Sequence, residues 1–204
     1  MTHKLNLIQD LQRLQIRIGS DAPASLSLDS FITIFGRWRK QEGHPAEWVD
    51  MADYAHVSRG PGIVLIGQRC NFSFDMGYPG PGILYAAKKG LTGTPSARIL
   101  SAIEWCLALS NLLVAEEEFP PGVRLRTDSL DLRFNDRLET PNTPSTDEQL
   151  QPSIRQALDT LFGQGGYRLV PQTDRNQPYG VSVQANKAEP LNVLLDRLSQ
   201  ASDS

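Results

Sequence analysis

The chain has 204 residues, 40% hydrophobic and 21% charged, with 20 basic against 23 acidic side chains and a formal net charge of −3. This balance excludes intrinsic disorder over most of the length, because ordinary apolar content in a chain this long can bury a core without crosslinks or metal. It also excludes a global cationic field, so no nucleic-acid partner is expected, although a local basic groove is compatible with it.

Met1 to Gly19 mixes Lys4, Asp10, Arg13 and Arg17 with isolated leucines and lacks the apolar run of a signal peptide, so the expected location is the cytoplasm. Leu14, Ile16 and Ile18 alternate with Gln15 and Arg17, which predicts a strand from about Leu11 to Ile18; Leu7, Leu11 and Leu14 would also suit a short helix. After the turn residues Gly19 to Pro23, Leu28, Phe31, Ile32, Phe35 and Trp38 recur at helical spacing. That helix has Ser27 as a candidate N-cap and ends before Gly43. Trp48 to Tyr54, Ile63 to Ile66, Asn71 to Phe74 and Ile83 to Ala86 read as short strands between Gly- and Pro-rich clusters. Tyr78-Pro-Gly-Pro-Gly82 is a tight connection, since Pro79 and Pro81 bring no N–H to a sheet.

Thr94-Pro95 predicts a helix entrance, with the helix running to about Glu117. Its apolar stretch, Ile99 to Ala115, contains Glu104, Ser110 and Asn111 and falls short of the roughly 20 residues a bilayer requires, so a buried core helix is expected and no membrane span. Glu116 to Glu118 would then close the helix as an exposed end, against its dipole. Val123 and Leu125, then Leu130, Leu132 and Phe134, predict a hairpin around Thr127-Asp128-Ser129. Thr146-Asp-Glu-Gln149 has the spacing of a capping box ahead of a helix whose buried face runs from Leu150 to Phe162. Gly163 to Gly166 end that helix, strands follow at Tyr167 to Val170 and Gly180 to Gln184, Pro190 opens a last helix through Leu198, and 200–204 should fray.

Residues 94 to 185 thus hold two successive helix-strand-strand units spaced by about fifty residues, with poor side-chain identity between them. The whole predicts an α+β fold: a mainly antiparallel mixed sheet with helices packed on it, in an N-terminal part (1–93) and a C-terminal part (94–199) that share a core.

Polar and titratable residues are densest between Trp48 and Lys89. His56-Val-Ser-Arg-Gly-Pro-Gly62 could cradle an anion, with charge from Arg59, a hydroxyl from Ser58 and close backbone approach at Gly60 and Gly62. Asp75, Tyr85 and Lys88 complete the candidate ligand set. The spacing is not that of a P-loop, and a strand-entry loop fixed by its Gly and Pro residues is the plainer reading. Asp50, Asp53 and His56 would share a helical face able to hold a metal, but on a strand the two aspartates point to opposite sides, so no metal site is expected. Cys70 with His56 and an aspartate could form a nucleophile and its base; single cysteines more commonly pack, as Cys106 does by its apolar neighbours. Gly-x-Ser-x-Gly is absent. Lys88-Lys89 and Arg37, Arg39 and Lys40 read as solvated faces.

Val57-Ser-Arg-Gly-Pro-Gly-Ile-Val-Leu-Ile-Gly67, with Gly82-Ile-Leu-Tyr-Ala-Ala-Lys-Lys89, resembles a group of uncharacterised bacterial proteins. The likeness covers chiefly residues 47 to 90 and implies no activity, ligand or partner. The expectation from the residues is a soluble, non-catalytic protein that acts through a protein partner or as a homo-oligomer, as a component or assembly factor, without cofactor. The rival is a protein or enzyme that binds an anionic small molecule between Asp50 and Lys89.

Overall fold

The structure, a computed structural model, describes residues 8–44, 46–77, 79–174 and 176–202. His3, Tyr78 and the last two residues of the tail expected to fray lie outside the described residues. The fold is α+β: strands β1 (Leu14–Asp21), β2 (Trp48–Asp53), β3 (Ile63–Gly67), β4 (Cys70–Asp75), β5 (Gly82–Ala87), β6 (Arg124–Leu125), β7 (Ser129–Phe134), β8 (Tyr167–Pro171) and β9 (Gly180–Ala185) form one antiparallel sheet. Its order is β2-β3-β4-β5-β1-β7-β9-β8, with β6 paired to β1 off that path. The first strand therefore joins the N-terminal hairpin strands β2 to β5 to the C-terminal strands β7, β9 and β8.

Helices α1 (Asp29–Lys40), α2 (Pro95–Val114), α3 (Pro144–Phe162) and α4 (Leu191–Ser202) cover one face. Leu14, Ile16 and Ile18 point into this layer, and the register extends their row to Tyr85 and Ile83 on β5 and to Phe72 and Phe74 on β4. Phe31 of α1 stacks on Phe74 with centroids 4.0 Å apart, and Trp38 lies 6.2 Å from Phe72. α2 packs on β1 and β5, with α3 and α4 against its other sides. It is long and apolar enough to cross a bilayer. Its apolar face is instead occupied: Ile99, Ile103, Cys106, Leu107 and Leu113 are buried, and Cys106 Sγ donates to Ile16 O at 3.7 Å. Tyr179 and Tyr167 donate from the sheet side to Asp147 and Asp159 of α3, at 2.8 and 2.9 Å.

Several boundaries differ from expectation. β1 starts at Leu14 and continues past the expected turn at Gly19, because Gly19 pairs with Gly82, and Ser20 and Asp21 pair with β6. A Cβ on Gly82 would lie 2.5 Å from Ile18 O, so this close strand crossing needs glycine. Ser27 lies one residue before the helix N-cap, although its Oγ accepts from Asp29 N–H at 3.2 Å. α2 stops at Val114, three residues early.

The segment 123–134 is not a hairpin: β6 and β7 both pair with β1, so the predicted turn joins two strands that never face each other. The second unit does contain such a pair, β8 with β9, and the two units are unequal in consequence. The capping box at Thr146 is also corrected. Thr143 caps α3, its Oγ1 accepting from Thr146 N–H at 3.3 Å, and Pro144 takes the first turn, the same device as Thr94-Pro95 in α2. Residues 200–202 continue α4 rather than fraying.

Candidate functional site

Strand side chains alternate between faces, so each apolar residue that meets the helices leaves a neighbour on the other side. Register defines two rows across that second face: Ile66, Asn71, Ala86, Gln15 and Arg133, and next to it Val64, Ser73, Leu84, Arg17, Asp131 and Ser182. No described helix packs on them; antiparallel sheets commonly leave one side to water.

Arg17 is the centre of this open face, yet its residue is only 3% exposed. Its Nε lies 3.5 Å from Asp75 Oδ2, its Nη1 lies 4.0 Å from Asp131 Oδ2, and its Nη2 donates to Gly80 O. The connection between β4 and β5 therefore folds over the guanidinium. Ser182 donates to the other oxygen of Asp131 at 2.6 Å. Burial pushes the Asp75 carboxyl above its ordinary range, outweighing the opposing pull of Arg17. A cavity of about 680 Å³ opens beside this cluster, bounded by Leu84, Arg133, Gln172 and Gln177.

A second cavity, about 500 Å³, lies two residues further along the same strands. Gln15 and Asn71 form its floor with Ala86, and Arg13, Lys88 and Asn135 continue the register past the strand ends. Gln68 and Lys89 complete the rim. Lys88 Nζ donates to Gly67 O at 2.7 Å, and Arg13 Nε lies 4.0 Å from Asp136. Among the described residues, the side chains of Gln15, Gln68, Asn71, Lys89 and Asn135 have no hydrogen-bond partner, and Asn71 Oδ1 is buried in that state.

The eight residues singled out from sequence are distributed over this architecture. Lys88 lines the second cavity and Asp75 the first. Tyr85 occupies the opposite, helix-covered face, where it is 3% exposed beside Cys70. His56, Ser58 and Arg59 are exposed in the β2–β3 loop. That loop consumes its own donors: Val57 N–H bonds Tyr54 O and Gly60 N–H bonds Val57 O. Gly60 O accepts from Met76 N–H, and at Gly62, with φ +64°, a Cβ would stand 2.0 Å from Phe74 O. Gly60 and Gly62 thus seat the loop on β4, the strand-entry role.

Cys70 begins β4, whereas the loop that carries His56 enters β3 at Ile63, opposite Phe74 at the other end of β4, so the two are not neighbours. Burial lifts the Cys70 thiol to about 11 and Cys106 to about 12, which keeps both as thiols at neutral pH. Asp53 accepts from Ala55 N–H, Asp50 faces Arg39 at 3.9 Å, and no group of three metal-ligating side chains occurs among the described residues. Arg37, expected as a solvated charge, instead clasps Glu116 and Glu118 just past α2.

Reasoning from sequence missed Arg13, Gln15, Asn71 and Asn135. The available signal was parity: Gln15 and Asn71 stand at alternate positions in apolar strands, where a polar side chain must face away from the core. No protein-family model matches the chain, and no curated protein is significantly similar to it.

Proposed function

We propose that this chain is a non-catalytic binding protein of the cytoplasm that receives its partner on the uncovered face of its sheet. The observation that supports this reading is the contrast in pairing on that face: Arg17 is held by Asp75, Asp131 and Gly80 O, whereas the adjoining cavity is ringed by the amides of Gln15, Gln68, Asn71 and Asn135 and by Lys89, whose side chains have no partner among the described residues. Groups held in place by a sheet and left unpaired are suited to an incoming molecule.

The sheet edges suit association less well. β2 carries Asp50, Asp53 and a bulge, and β8 is short with Arg168 and Pro171, features that discourage strand addition. The open face also has no aromatic side chain among the described residues, which removes the stacking platform used by single-stranded nucleic acid. The two thiols are free and buried, in keeping with a reducing compartment.

Native mass spectrometry of the chain isolated from its own cells tests the proposal. A species heavier than the 22.6 kDa chain is expected, and Leu84→Arg on the open face should return it to the bare mass. A bare chain from the outset, or a retained species indifferent to Leu84→Arg, overturns it.

A further inference from the structure

We infer that the cavity between Arg13 and Lys89 binds a small hydroxylated organic anion of the sugar-phosphate class; this site gives a ligand chemistry to the open-face reading, on which it depends. Its volume of about 500 Å³ suits a small molecule. Three cations, Arg13, Lys88 and Lys89, line it, and no carboxylate does. The nearest acid, Asp136, meets Arg13 at 4.0 Å from outside the lining. Lys88 spends one of its three N–H groups on Gly67 O, which fixes the ammonium while leaving two donors, and Lys89 has no partner. Like charges gathered on one rim raise the local concentration of anions, and a doubly charged phosphate matches them better than a single carboxylate.

The amides then specify what the anion carries. Oxygens of a phosphate accept hydrogen bonds, so they can engage the cations and the NH₂ groups of Gln15, Gln68, Asn71 and Asn135. They cannot satisfy the amide oxygens of Gln15, Gln68 and Asn135, acceptors on the cavity wall that need a donor. A hydroxyl on the same molecule supplies one. The ligand therefore combines a charged acceptor group with neighbouring hydroxyls, the chemistry of a sugar phosphate.

Calorimetric titration of the intact chain at low ionic strength with glucose 6-phosphate, inorganic phosphate and glucose tests the site. Glucose 6-phosphate should bind roughly tenfold or more tighter than inorganic phosphate, and glucose not at all. Lys89→Gln, which disturbs no bond within the fold, should weaken glucose 6-phosphate roughly tenfold, and Gln15→Glu should abolish binding by placing a carboxylate in the floor. Gln68→Leu combined with Asn135→Leu should reduce the affinity for glucose 6-phosphate to that for inorganic phosphate, whereas Arg168→Gln, on the same face outside the cavity, should change nothing.

Absence of saturable anion binding, or binding indifferent to both Lys89→Gln and Gln15→Glu, overturns the site. Equal affinity for the two anions, unaltered by Gln68→Leu with Asn135→Leu, overturns the hydroxyl assignment. A chain that retains its cellular partner yet ignores all three solutes sinks this site alone; a chain that does neither sinks the open-face reading with it.

Discussion

The two faces of this sheet are written by the same strands in alternation, and they solve opposite problems. On the covered face, Phe72, Phe74, Ile16, Ile18 and Ile83 are excluded from water and locked by rings and helices. On the open face, Val64, Ile66, Leu84 and Ala86 are half-buried, and the centre is held by one arginine and its acids. Area removed from water sustains the first; pairing of charges sustains the second. A surface stabilised by pairing can keep other polar groups unpaired beside it without losing the fold, which is how a site and a scaffold share six strands.

The largest separation between the faces should come from truncating an aromatic. Phe74→Ala removes a ring stacked on Phe31 and should cost roughly 4 kcal/mol in urea unfolding, against less than about 2 kcal/mol for Leu84→Ala on the open side. Equal losses would mean that the open face is packed after all. Next in size is Arg17→Met, which leaves Asp75 and Asp131 without their shared guanidinium and should cost roughly 3 kcal/mol. Adding Asp75→Asn to it should recover part of that loss, and a double variant no better than the single one would deny the coupling.

The smallest effect sharpens the covered side. His44 lies between Trp38 and Trp48, its Nδ1 accepting from Ala46 N–H at 3.2 Å, and burial holds its pKa below the ordinary 6.5. Between the two values the unfolded chain takes up the proton more readily, so stability present above pH 6.5 is lost as the pH falls through the folded value. His44→Gln should flatten that slope in thermal melts, and an unchanged slope would assign it to another group.

Much of this scaffold was legible in the chain. β3, β4 and β5 were found to within a residue at each end, because apolar alternation and Gly-Pro punctuation coincide there. Cys70 and Asp75 escaped as polar strand ends. The segment 123–134 misled because two residues of β6 prefer a partner far away in sequence, and turn residues carry no record of that choice. At Thr146 a genuine capping spacing lost to the Thr-Pro entrance three residues earlier. The cavity was the least legible, because Arg13, Asn71, Lys88 and Asn135 come from four separate stretches and only register gathers them. Lys88 was noticed for its charge, and its floor of amides was not.

β1 is made before both of its neighbours and cannot complete either of its ladders until they follow: β5 must arrive for one side and β7 for the other. Until Phe134 has been made, its second edge is bare, and synthesis outlasts any local folding of the first hairpins. A fragment ended near residue 93 would carry that bare edge permanently, because the sheet runs on without a break from β1 to β7.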